Sequence, residues 1–347
     1  MTRVLTVEPG GTDIGRTALI WGSGAGGTAA AIDLASQGWR VFLSDPYVEF
    51  VPRPGRLNYS GVAGDGAVVL RDAGLTLGDA VEQASIILVA TLATAGTDAI
   101  RPVVGALGGD QVVVGGCGGL ISLRLVSQAN AAGSLGALEL ACFPYSSRFR
   151  PDGSLRIRRR RPVRFAAVDP ARTLELAEAL PEAWRGEPAV NVLHAAVLNP
   201  NYVVHPASVV VNVAARDRCE AVPHEGLTDG ARRIAAELDR EKGAILRALG
   251  LPDISLTQLM GEMESKGVKA SNDEDPPEEM LDRYVLEDCG LGLSLLAGIA
   301  GLVGMKTPTI DSIRFVLAAS LEEPPPEFPF ESIGLTPEGL VETWRVM

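Results

Sequence analysis

Gly22, Gly24 and Gly27 are spaced as G-x-G-x-x-G, and an acid, Asp45, follows after about twenty residues, the separation a dinucleotide site requires. Glycines at that spacing remove the side chains that would hold a pyrophosphate away from the backbone. The acid can accept the hydroxyls of an adenosine ribose. A second set lies far downstream. His205 sits in Asn199-Pro200-Asn201-Tyr202-Val203-Val204-His205-Pro206, with Asn212 seven residues on, and Asp288 lies in Arg283-Tyr284-Val285-Leu286-Glu287-Asp288. A histidine can carry a proton near neutral pH, and a carboxylate beside it fixes the tautomer and stabilises the charged form. Nicotinamide chemistry needs both sets, because the cofactor supplies hydride and the protein must supply a proton.

Elements must hold these residues in place. Ala18-Leu19-Ile20-Trp21 is a short apolar run that reads as a buried parallel strand ending at Gly22. The Ala-rich stretch Thr28 to Gln37 reads as a helix with Gly38 at its end, and Arg40 to Ser44 as a second strand delivering Asp45. Strand, glycines, helix, strand and acid in this order separate the motif from an isolated glycine-rich turn. Ala25 and Gly26 fall at the helix start, where unpaired N–H groups and the positive end of the dipole favour phosphate. Asp45 favours NAD(H) over NADP(H), while Arg53 and Arg56, a few residues on, leave NADP(H) open.

Beyond Asp45 the stretch from Pro46 to Gly66 reads as irregular, followed by a strand around Ala67 to Leu70. Helices over 77–84, 97–107 and 121–131 alternate with strands over 85–90, 111–114 and 135–142. The first of those strands runs into Thr91, whose loop is expected to face the nicotinamide. Phe143-Pro144-Tyr145-Ser146-Ser147-Arg148 reads as a loop, and Leu155 to Val168 as the end of the sheet. Residues 1–188 are therefore expected to form a Rossmann-type α/β domain.

From 189 to 347 the pattern is all-helical, with segments over 199–215, 228–249 (Thr228 as N-cap), 277–287, 290–303 and 309–321. Lys266 to Glu279 is charged and reads as an exposed loop. Pro324 to Pro326 break the last long helix, and the tail is expected to pack back through Phe328, Phe330, Leu340 and Trp344. His194, in an apolar Val-Leu-His-Ala-Ala run, reads as a satisfied buried histidine, and His224 as a loop residue. Only His205 has polar company in an otherwise apolar helix, and such groups need partners. Pro206 would distort or start a helix. Asp288, at the end of one helix and just before an apolar one, is the candidate orienting acid; a helix-end accident is the alternative.

The net charge of −12 makes nucleic acid or an anionic membrane a poor partner. The basic run Arg156 to Arg161 reads as a solvated strand face. Cys117, Cys142, Cys219 and Cys289 lack C-x-x-C spacing, so no metal site is expected, and they read as reduced. No apolar run reaches the ~18 residues of a membrane span, and the N-terminus lacks the apolar core of a signal peptide. It reads as a short, loosely held leader, and the cytoplasm is the default compartment. The apolar Leu291 to Val303 segment fits a domain core or a dimer face; a homodimer is the expected assembly.

The sequence resembles the octopine/nopaline, or opine, dehydrogenase family from the glycine loop to about Leu321. The carriers are Asn201-x-x-x-His205-Pro206 with Asn212, and Arg283-Tyr284-x-x-Glu287-Asp288; weaker ones are Glu139, Pro144-Tyr145-x-x-Arg148 and Thr307-Pro308. The resemblance implies a Rossmann domain followed by a helical domain like that of 6-phosphogluconate dehydrogenase. It implies reduction of the imine formed between an amino acid and a 2-oxo acid, with His205 as proton donor and Asp288 as its partner. Asn201, Asn212, Tyr145 and Arg148 are then the expected substrate contacts. Leu92-Ala93-Thr94-Ala95-Gly96 departs from the Pro and His of many relatives, so pocket and substrate can differ. Reduction of a 2-oxo acid or a preformed cyclic imine, and a non-catalytic NAD(P) sensor, are the competing readings.

Overall fold

The computed structural model describes residues 2–8, 14–109, 111–129, 135–217, 222–223, 228–265, 274–275, 280–334 and 336–344. His224 and Cys219 lie outside them, as does most of Lys266 to Glu279. The chain divides into two compact units, Met1–Val192 and Leu193–Met347.

The first unit is built on one sheet. Its centre consists of β2 (Thr17–Trp21), β3 (Arg40–Ser44), β6 (Ile86–Val89), β7 (Val112–Gly115) and β8 (Gly136–Leu140), all parallel. Their near-continuous apolar runs suit strands covered on both faces. α1 (Ala25–Ser36) joins β2 to β3, while β6 pairs on the other side of β2. The winding thus reverses at β2, and the glycine loop follows its carboxyl end, the usual ligand position in open α/β sheets.

The flanks of this sheet differ from the sequence reading. Leu5–Val7 forms β1, held antiparallel between β3 and β5 (Gly66–Asp72) with Leu5 and Val7 buried, so these residues of the N-terminal leader are part of the sheet. The stretch read as irregular contains β4 (Gly55–Gly61), paired antiparallel with β5 (Gly66–Asp72). Its polar GRLNYSG sequence has no apolar alternation to betray it. Tyr145–Phe149 is a strand, β9, rather than a loop, and pairs with β10 (Leu155–Arg160). β11 (Val163–Ala167) and β12 (Arg185–Pro188) complete the opposite edge. The basic run is not a solvated face. Arg158, Arg159 and Arg161 are buried, Arg161 donates to the Phe143 carbonyl at 3.3 Å, and Arg160 pairs with Asp33 at 2.7 Å.

The second unit is helical. α7 (Asn201–Asp217), α8 (Asp229–Ala248) and α11 (Pro308–Ser320) pack on a continuous rod made of a π-helix, Met280–Gly292, and α10 (Leu293–Leu302), and α9 (Leu256–Ser265) follows α8. Two helices parted near Asp288 were expected. Instead Gly290 and Gly292 let neighbours approach: a Cβ on Gly290 would meet Pro326, and one on Gly292 would collide with the Tyr202 ring. Glu241 caps α11, accepting from the N–H groups of Thr309 and Ile310 at 2.7 and 3.0 Å. The tail does pack back, with Phe328, Leu340 and Trp344 buried. Tyr284–Leu302 is long and apolar enough to cross a membrane, against the sequence reading, yet 67% of that window is buried inside the protein. Burial of this kind is what a core helix shows.

Candidate active site

Each glycine of the loop has its own physical reason. Gly22 has φ +120°, and a Cβ there would lie 2.6 Å from the Thr91 nitrogen. A Cβ on Gly27 would collide with the Gly22 carbonyl oxygen, and one on Gly26 would sit 2.8 Å from the Phe143 ring. Those three are small because protein packs against them. Gly24 is different: nothing lies within 4 Å of the position its Cβ would take. Protein packing does not explain this glycine, whereas a pyrophosphate laid against the backbone does. α1 opens at Ala25 with no side-chain cap and no acid in its first turn, so its N–H groups and dipole are available to an anion. The loop fits a dinucleotide.

Asp45 is buried at the end of β3 and holds the loop itself. Its Oδ2 accepts from the Ser23 N–H at 2.7 Å and from the Ser23 hydroxyl at 3.1 Å, and its Oδ1 accepts from the Tyr47 N–H at 3.0 Å. A carboxylate has about four acceptor positions, so one remains for a ribose hydroxyl. Sequence reasoning missed Ser23. Arg53 and Arg56 are exposed.

One expected substrate contact is structural in this fold. Tyr145 is buried in β9, where its hydroxyl donates to Asp33 at 2.6 Å and accepts from the Trp184 indole at 2.8 Å. Burial and the neighbouring Asp33 push the phenol well above its ordinary pKa. Asn212 donates from Nδ2 to the Ser208 carbonyl of its own helix at 2.8 Å. Arg148 is half-buried on β9, opposite Arg156. Glu139 is fully buried. Its Oε2 accepts from the Ser122 N–H at 2.8 Å at the start of α4 (Ile121–Gln128), and burial pushes the carboxyl up to about 7.

In the helical unit, Asn199 stands just before α7, and its Oδ1 accepts from the Asn201 N–H at 3.0 Å. The helix continues through Pro206. His205 lies one turn beyond Asn201, with Nδ1 2.6 Å from Asp288 Oδ2, and both side chains are less than a tenth exposed. Tyr284, one turn before Asp288 on the π-helix, stacks on the imidazole with centroids 3.7 Å apart and planes 19° apart. Cys289 follows, its thiol pushed well above the ordinary range by burial and by Asp288. His194 is buried, with Nε2 3.0 Å from the Pro252 carbonyl oxygen. A carboxylate at Nδ1 leaves Nε2 as the position from which a proton can be delivered.

Residues 188–319 match the family model of NAD/NADP octopine/nopaline dehydrogenase, alpha-helical domain. The match covers the helical part of the chain. Opine dehydrogenase of Arthrobacter sp. (strain 1C) is 24% identical over 341 residues, covering 88% of this chain and 91% of that one. Octopine dehydrogenase, in a structure with NADH and pyruvate, superposes with a TM-score of 0.62 at 16% identity over 88% of this chain and 89% of that one. Yersinopine dehydrogenase with NADP+ gives 0.60 at 17% identity over 95% and 99%. These structures share the architecture found here, a Rossmann-type sheet followed by a helical domain. The chain is an opine dehydrogenase-like, NAD(P)-dependent oxidoreductase of the type that acts on CH–NH bonds.

Proposed function

We propose that this opine dehydrogenase-like enzyme reduces the imine formed between the amino group of an amino acid and a 2-oxo acid. The observation that carries the reading is the buried His205–Asp288 pair, lying within the region matched by the octopine/nopaline family. The reduced nicotinamide supplies hydride to the imine carbon when bound. His205 delivers the proton to the nitrogen from Nε2, and Asp288 keeps Nδ1 protonated and stabilises the imidazolium before transfer. The product is a secondary amine. Asn201, one turn before His205, and Arg148 hold the carboxylates; a guanidinium suits such a group through its fork of donors.

Gly24, Ala25 and Gly26 hold the pyrophosphate on a loop whose turn Gly22 and Gly27 make possible, and Thr91 lines the nicotinamide end. Asp45 favours NAD(H), through the acceptor position its three protein contacts leave open. Octopine dehydrogenase has been solved with NADH and pyruvate and with NADH and L-arginine, a 2-oxo acid and an amino acid of the classes this reading requires.

The test is oxidation of NADH and NADPH with pyruvate, 2-oxoglutarate or glyoxylate, each with and without a panel of amino acids. Turnover that needs both partners is expected. Turnover with the oxo acid alone would make the chain a hydroxy-acid dehydrogenase; tight cofactor binding with no turnover on any pair would favour a sensor.

A further inference from the structure

A hydrogen bond to a ring nitrogen acts in the plane of the ring, and a contact on the ring face acts across that plane. His205 is held in its ring plane at Nδ1 by Asp288. The second constraint comes from Tyr284, whose ring lies flat over the imidazole at 3.7 Å between centroids and 19° between planes. Tyr284 is 1% exposed. It stands one turn from Asp288 on the same π-helix, so a single element supplies both the in-plane hydrogen bond and the face contact. The packing of that element is itself tightly set, because Gly292 lies against the Tyr202 ring with no room for a Cβ. π-Helical turns are rare and concentrate at functional sites.

We infer that Tyr284 is a positioning residue for the proton donor, holding the His205 imidazole in the plane that aims Nε2 at the reacting nitrogen. The inference rests on the reading of His205 as the donor. Stacked aromatic pairs are worth about 2- to 12-fold in the population of the aligned state beyond simple burial, and the rate should fall by that factor without the ring. Ground-state binding does not depend on the aim of Nε2, so the loss belongs in kcat and not in KM.

The experiment compares Tyr284→Phe, which keeps the ring, with Tyr284→Leu, which keeps apolar bulk, and adds one spectroscopic readout. The chain has only three histidines, so ring-proton NMR lines are few, and those of His205 are identified by their loss in His205→Ala. A flat tyrosine shifts them upfield. The expected result is an upfield pair in the wild type and in Tyr284→Phe, with kcat within about 2-fold. In folded Tyr284→Leu the lines return to ordinary positions and kcat falls about 2- to 12-fold at unchanged KM. Equal kcat in the Leu and wild-type enzymes, or an equal loss in the Phe and Leu variants, would overturn the inference. Should Tyr284→Leu fail to fold, His205 lines at ordinary positions in the wild type would overturn it and shifted lines, kept in the Phe variant, would support it. Near-normal turnover by His205→Ala would instead sink the donor reading, and the stack would still be visible by NMR.

Discussion

His205 and Asp288 are 83 residues apart in the chain and 2.6 Å apart in the fold, one from α7 and the other from the π-helix that packs along it. The pair is buried, and a buried carboxylate beside an imidazole is a device for holding charge. Asp288→Asn keeps an oxygen in reach of Nδ1 but removes the charge. Steady-state kcat is expected to fall by about 10²-fold or more while NADH binding, followed by fluorescence titration, stays unchanged. Equal kcat would mean that Asp288 only packs.

Gly24 offers a separation of folding from binding. Its φ of −58° and ψ of 179° suit any residue, and its surroundings are open, so Gly24→Ala should leave the melting temperature the same or raise stability by about 0.4–1 kcal/mol. The new methyl would stand where the pyrophosphate must approach. NADH affinity is expected to drop at least ~10-fold, a penalty of about 1.4 kcal/mol. Undiminished affinity would remove Gly24 from the cofactor site.

Tyr145→Phe reads the opposite way. The change strips Asp33 of one donor and the Trp184 indole of its acceptor inside the core, a loss of about 1–3 kcal/mol in chemical denaturation. KM for both substrates should hold. A raised KM with unchanged stability would return Tyr145 to the substrate site.

Glu139 predicts a pH dependence. Burial lifts its folded pKa from 4.5 to about 7, so the folded protein binds this proton more tightly than the unfolded chain. The stability it contributes is fully present below about 4.5 and is lost as pH rises through about 7. Glu139→Gln can still accept from Ser122 and does not titrate. The wild-type denaturation midpoint should therefore fall more than the variant's between about pH 5 and pH 7.5, and parallel profiles would contradict the assignment.

The Rossmann core and the His205–Asp288 pairing were legible in the sequence for different reasons. Gly22, Gly24, Gly27 and Asp45 sit in one strand–helix–strand unit, where local spacing determines geometry. The dyad could be proposed only because so few polar residues interrupt the apolar helices, and because the family resemblance named the same two. What stayed hidden depends on contacts across the sheet or between helices. β4 is too polar to show a strand pattern. Tyr145 and the arginines at 158, 159 and 161 look like site or surface residues until their burial is seen. The continuity of the rod through Gly290 and Gly292 follows from Pro326 and Tyr202, which no local window contains.

The central claim is that His205 delivers the proton, and turnover by His205→Ala tests it most directly. With the amino acid and 2-oxo acid that support wild-type NADH oxidation, the account predicts a loss of about 10²- to 10⁴-fold in kcat, with the dissociation constant for NADH unchanged. A variant that binds NADH normally and turns over at a near-wild-type rate would contradict it.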